Sequence, residues 1–291
     1  MKNKKQSSFF ETLYHHKDRL WSMVWFLGML LLFIWDMLYL NRPALLKVID
    51  GAMNTFLIAF LVIVFALFIA WLAVNLLFII RRKGFFVLET VLTFLIDIIR
   101  SIPQIIGILL GFVFIAGLLY RNIIQSPMAI LLTAVLIAFF VFQELMDLML
   151  DRVNHFRRLD FYQAMTVCGI SGSRILNYHI LWKNSRRHIF NKVVAIFGVA
   201  VFLQCSVDFI ISVGLSTDIS SMDLPVTLGG LLAHIDSKQD ILAIGHAITN
   251  PGYFPNLFFK HLQGISVAFS IVFSLLCIYK ISNGLSERFR L

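Results

Sequence analysis

Glu144 and Asp147 are the residues in this sequence whose type and spacing come nearest to proton-transfer chemistry. Three residues apart, they share a helix face, and paired carboxylates can divide the general acid and general base roles between them. No nucleophile and no metal-type spacing accompanies them, so they read instead as groups at the cytoplasmic exit of the span or as partners of Arg152, Arg157 or Arg158. Gln204 and Asp208 lie four apart inside an otherwise apolar run. A polar pair at that depth suits either a translocation pathway or a hydrogen bond between helices. Asp97 and Arg100 are again three apart and precede Pro103; they can fix a helix in position as an ion pair or take part in gating. His15 and His16 sit on a polar tail, and His234 and His246 fall at irregular spacing among Asp and Ser, so no metal site is expected. Cys168, Cys205 and Cys277 are far apart and form no CxxC, which makes them structural thiols. The sequence holds no G-x-x-x-x-G-K-[ST] phosphate cradle. Catalysis within this chain is therefore not expected.

The elements that carry these residues follow from composition. Hydrophobic residues make up 59% of the 291 and charged residues 14%, against about 45–50% and about 25% in soluble domains. A soluble fold of this size has too little interior to hide that much apolar surface. Several runs exceed the ~18–20 residues needed to cross a bilayer. The expected class is an all-α polytopic membrane protein with six transmembrane helices, near residues 21–40, 55–80, 102–120, 126–150, 189–215 and 257–281. Residues 85–100 are apolar but carry Glu89, Asp97 and Arg100, and read as a membrane-surface helix or the first turns of a tilted span. Asp36 falls near the far rim of the first span.

Residues 1–20 form a basic tail, and residues 21–53 the first span with a short outer loop containing Pro43. No cleavable signal peptide is expected, because the first apolar run is too long for one. A long polar connection is expected over residues 216–255. The formal charge of +9 is not read as a nucleic-acid footprint, because the basic residues cluster at the ends of apolar runs. With the N-terminus cytoplasmic, the tail, Arg81 to Lys83, the stretch from Arg152 to Arg187 and the C-terminus hold 18 of the 25 Lys and Arg. The opposite loops hold Arg42, Lys47, Arg121 and Lys238. The positive-inside rule then puts both termini and residues 151–188 in the cytoplasm.

Within that loop, residues 159–184 read LDFYQAMTVCGISGSRILNYHILWKN. Asp160 suits the N-cap of a short helix running to about Cys168, and Gly169 suits its left-handed end. Ser171 or Ser173 can open a second helix through His179. Two short helices joined at a glycine make a knob whose Phe161, Ala164, Met165 and Val167 could dock in a partner's groove.

This segment resembles the EAA signature of ABC-transporter permeases. Gln163-Ala164-Met165 stands at E-A-A, Gly169 at the conserved-type glycine, and His179-Ile180-Leu181-Trp182-Lys183-Asn184 at H-I-L-P-x-N. Asp97 to Pro103 resembles D-x-x-x-x-I-P; Gln204-Cys205-Ser206 through Gly214, then Leu228 to Leu232, resembles E-A-S-L-S-F-L-G-L-G followed by W-G-x-M-L; and Ser282 to Glu287 resembles G-D-G-L-R-D. Glutamine replaces the glutamate at position 163 and tryptophan the proline at 182, and the loop after the first span lacks G-T-D-x-x-G-R-D. The match runs over about residues 54–290 and is nearest to the second permease subunit of oligopeptide, dipeptide and nickel importers.

The resemblance implies a permease core over residues 54–291 that forms half of a pathway for peptides or similar small solutes. It implies a coupling helix, with Asp160, Phe161, Gln163, Ala164, Met165, Gly169, His179, Ile180 and Leu181 engaging an ATPase, and Gln204 and Asp208 lining the pathway. It implies as partners a second permease, two ATPase subunits that carry ATP and Mg, an extracytoplasmic binding protein and membrane lipid. No cofactor is implied in this chain. A bacterial cytoplasmic (inner) membrane is the implied location. An ABC-type permease for another cargo or for export is the alternative, ahead of a non-transporting scaffold or a membrane enzyme.

Overall fold

The computed structural model describes residues 16–214, 225–233, 235–260 and 262–290. Among them it is all-helical. The helices are α1 (Lys17–Tyr39), α2 (Arg42–Lys83), α3 (Phe86–Ser101), α4 (Gln104–Tyr120), α5 (Ser126–Arg157), α6 (Asp160–Val167) and the single turn α7 (Gly172–Arg174). A π-helix, Ile175–Asn184, continues from α7. Then come α8 (Arg186–Gly214), α9 (Leu228–Ala233), α10 (Ile235–Thr249), a 3-10 turn at Pro251–Tyr253, α11 (Phe254–Lys260) and α12 (Leu262–Arg290).

Five of these, α1, α2, α5, α8 and α12, are long and apolar enough to cross a membrane, and α3 with α4 adds a sixth span if the pair counts as one. That pair is bent by 89°. The break lies at Ile102-Pro103, where proline has no N–H to continue a helix and pushes the residue before it out of the α region; Ile102 is accordingly extended. α3 presents Phe86, Val87, Val91, Phe94, Leu95 and Ile98 as exposed apolar side chains, which suits a membrane-surface helix and the first turns of a tilted span alike.

Two other expectations change. Pro43 was expected in a connecting loop but is the second residue of α2. Proline is tolerated there because the first helical N–H groups have no partner within the helix. α2 consequently runs 42 residues, roughly 63 Å at ~1.5 Å per residue, about twice a ~30 Å hydrocarbon core. The long polar connection is also largely helical where it is described, as α9, α10 and the 3-10 turn. Its Asp, Ser and Gly content masks an apolar face of Ala243 and Ala247, which packs with Leu257, Tyr253 and Ile265. Residues 215–224, like the tail at 1–15, lie outside the described residues.

The chain divides into two compact units. In the first, α1 packs along α12. Ser266, Ser270 and Ser274, four apart, are all buried, a stripe of small residues of the kind that lets membrane helices approach closely. Trp25 Nε1 donates to Ser274 Oγ at 3.0 Å, and the Ser266 hydroxyl donates to the buried Asp36 carboxylate. Asp36, in the last turn of α1, is thus held by a neighbouring helix. At the other end Arg288 pairs with Asp18 at 3.0 Å and Lys17 with Glu287 at 2.8 Å.

Between those ion pairs and the serine stripe, Gly284 lies under the start of α1. A Cβ on Gly284 would fall 2.6 Å from the Asp18 backbone nitrogen, and backbone cannot move aside cheaply. Gly284→Val should therefore lift the first turn of α1, at the ~1–3 kcal/mol typical of overpacking. Limited trypsinolysis measures it: cleavage after the exposed Lys17 and Arg19 should run several-fold faster than in the unmodified protein.

Candidate functional site

The second unit spans Phe56–Val207 and carries the projecting segment. α5 ends at Arg157, and α6 follows after Arg158 and Leu159. Asp160 was expected to cap α6. Leu159 holds the N-cap position instead, without a side-chain bond, and Asp160 is the first helical residue. Its carboxylate still suits the positive end of the helix dipole. α6 has no buried residue. Phe161 is 38% exposed and Val167 87%, while Gln163 and Ala164 are exposed and Met165 half-buried. The Phe161 ring contacts Phe156 at 6.2 Å, and Arg152 lies over Phe156 at 5.3 Å, so the root of α6 is braced on α5.

Gly169 closes α6 as the glycine expectation requires. Its φ is +75°. Its N–H bonds Thr166 O at 3.0 Å, and Ile170 N–H reaches back to Met165 O at 3.1 Å, the 5→2 and 6→1 bonds of a Schellman motif. No atom lies within 4 Å of a Cβ built there. The glycine is needed for its backbone, not for space.

The second helix begins at Gly172, with Ser171 at its N-cap position, and does not stop at His179. It continues as a π-helix to Asn184. The buried residues account for the change of period: Ile175 and Ile180, and Leu176 and Leu181, are five apart, the repeat that aligns side chains when bonds run i→i+5. Asn177 is turned toward α2, where it and Asn75 exchange amide bonds at 2.9 and 3.1 Å and Trp71 Nε1 donates to Asn177 Oδ1 at 2.9 Å. Gly172 is buried, and a Cβ on it would run into Arg82 and Phe78 of α2. One half of the segment is anchored and the other, α6, is bare. Ile180 and Leu181 belong to the anchored half, at 0% and 5% exposure, so they hold the segment and offer no surface to a partner. His179 is half-buried, and Tyr178 and Trp182 are exposed.

Neither family models nor characterised proteins give a match to this chain.

The remaining candidates are dispersed. Arg100 makes its short contacts to Asp147 of α5, at 2.7 and 2.8 Å to the two carboxylate oxygens, while Asp97 stands 3.8 Å away. Glu144 pairs with Lys192 of α8 at 2.6 Å. The carboxylates of α5 thus face Arg100 and Lys192 in place of the expected Arg152, Arg157 or Arg158: those arginines lie further along α5 or beyond its end, whereas α3 and α8 pass beside it. Pro103 is the N-cap residue of α4 and marks the 89° bend.

Gln204 and Asp208 are both buried, at 2% and 5% exposure. Asp208 belongs to the first unit, where its Oδ2 accepts from the Thr227 hydroxyl at 2.6 Å. Thr227 Oγ1 in turn accepts from Gly230 N–H at 3.2 Å, and Leu228 N–H donates to Thr55 Oγ1 at 3.0 Å. This network fixes the start of α9. Among the described residues no cluster of three or more His, Cys, Asp or Glu could hold a metal ion, and Cys168, Cys205 and Cys277 form no disulfide.

Sequence reasoning passed over Asn75, Asn177 and Trp71. A spacing of five between apolar residues in ILNYHIL was the available signal for the π-helix, and two asparagines within apolar stretches were the signal for the amide pair.

Proposed function

We propose that this chain is an integral-membrane permease subunit of an ABC importer for peptides or a similar small solute. The observation that carries the reading is α6, a helix with no buried residue, closed by a left-handed glycine and held out between two helices apolar enough to span a membrane. Such a helix lacks an internal reason to be apolar on Ala164 and Val167, which are both exposed. A groove in a separate ATPase supplies one. The EAA-like order of residues 163–184 supports the same partner.

In this reading α6 is the coupling helix, and Asp160, Phe161, Gln163, Ala164 and Met165 meet the ATPase while the π-helix transmits its displacement to α2 and α8. ATP and Mg sit on the partner subunits, whose closure swings this chain and a second permease between inward- and outward-open states. The basic ends of the spans support a cytoplasmic side for α6 and both termini; the membrane of this reading is the bacterial inner membrane, and a binding protein meets the opposite face. Gln204 and Asp208 remain the polar residues nearest to a pathway role. An ABC-type permease for another cargo or for export shares all of these features except direction and substrate.

Co-expression with a second permease and a P-loop ATPase tests the proposal. A stoichiometric complex that hydrolyses ATP should be recovered on this chain's affinity tag. A stable chain that recovers no ATPase would overturn it in favour of a scaffold.

A further inference from the structure

The second unit also holds a groove of about 490 Å³, within the ~300–1,000 Å³ range of small-ligand sites. Its walls include Leu67 and Trp71 of α2 and Phe190 and Val193 of α8, and it is apolar over nearly all of its surface. Both helices are candidate spans, so the medium outside the groove is lipid. At the rim stand Trp182 and Arg186, both exposed, with the Arg186 guanidinium 5.9 Å from the indole centroid. Among the described residues no carboxylate pairs with Arg186, and Lys183, also exposed, precedes it by three.

We propose that this groove binds an anionic phospholipid, with an acyl chain along α2 and α8 and the phosphate on Arg186. The assignment rests on the membrane-spanning character of the helices and not on the permease reading. An aliphatic chain matches an apolar wall, and a guanidinium matches a phosphate through two parallel hydrogen bonds. Basic pockets between spans on one face of a membrane take anionic headgroups for this reason, and an indole beside the cation is at home in the interface. A transmembrane helix fits less well. It would bury the Arg186 charge without a counter-ion.

The full-length protein in phosphatidylcholine nanodiscs, doped with phosphatidylglycerol or phosphatidylcholine bearing a photoreactive acyl chain, tests this. Adducts mapped by mass spectrometry should concentrate near Leu67 to Trp71 and Phe190 to Val193, several-fold more with phosphatidylglycerol at equal mole fraction. Arg186→Ala should bring that labelling down to the phosphatidylcholine level, Arg186→Lys should keep part of the difference, and millimolar inorganic phosphate should not compete. Equal labelling by the two lipids, a preference that survives Arg186→Ala, displacement by free phosphate, or no labelling by either lipid because protein covers the groove would each overturn it.

Discussion

Replacing Gly169 with valine should reduce coupled transport and ATP hydrolysis in the assembled complex by at least tenfold, with little change in the yield of folded protein. The φ of +75° is a conformation that costs an L-residue roughly 1–2 kcal/mol, more for a β-branched one. No neighbouring atom would touch the new Cβ, so the effect enters through the backbone alone. A residue that refuses the left-handed turn breaks the bonds to Thr166 and Met165 and re-aims α6. The apolar packing of α2, α5 and α8 does not depend on that turn. Gly169→Asn is the paired measurement, because asparagine tolerates this region; it should retain most of the activity. Normal coupling in the valine variant would remove α6 as the docking element and leave the scaffold reading in its place.

Asp208 offers the second sharp result, since the pathway and anchoring roles separate by substitution. If its work is to hold Thr227, Asp208→Asn keeps an acceptor for the hydroxyl and should stay close to the unmodified protein in both thermal stability and transport. Asp208→Ala leaves a buried hydroxyl unmet and should lose ~1–3 kcal/mol. Adding Thr227→Val to Asp208→Ala should cost further only what the Gly230 N–H bond to Thr227 Oγ1 contributes, because the Asp208–Thr227 bond is already lost. A stable Asp208→Asn protein with transport abolished would instead make the charge itself the functional feature.

Much of the architecture was legible because membrane spans are written in long apolar runs. Residues 21–40, 126–150 and 189–215 fall on α1, α5 and α8 with small shifts at their ends. The break before Pro103 and the glycine stop at Gly169 were readable too, since each rests on the local stereochemistry of one residue. What escaped depends on partners distant in the chain. Arg100 has a carboxylate three residues away and another 47 away, and nothing local says that the distant one lies closer. Asp160 looked like a cap because its side chain can be one, but whether the helix starts at it or just before is decided by how Leu159 leaves α5. The helix at Ile235–Thr249 was hidden because Ala243 and Ala247 make its packing face where a hydropathy reading looks for leucine.

The π-helix at Ile175–Asn184 has a mechanical consequence. Bonding i→i+5 packs its residues into a shorter, wider coil than an α-helix, in which ten residues would span ~15 Å. Each turn that reverted to i→i+4 bonding would lengthen the segment while keeping the backbone bonded. The chain thus holds a reserve of length between α6 and α8. That reserve would let the bare helix advance or retreat against whatever it meets without melting the element that carries it.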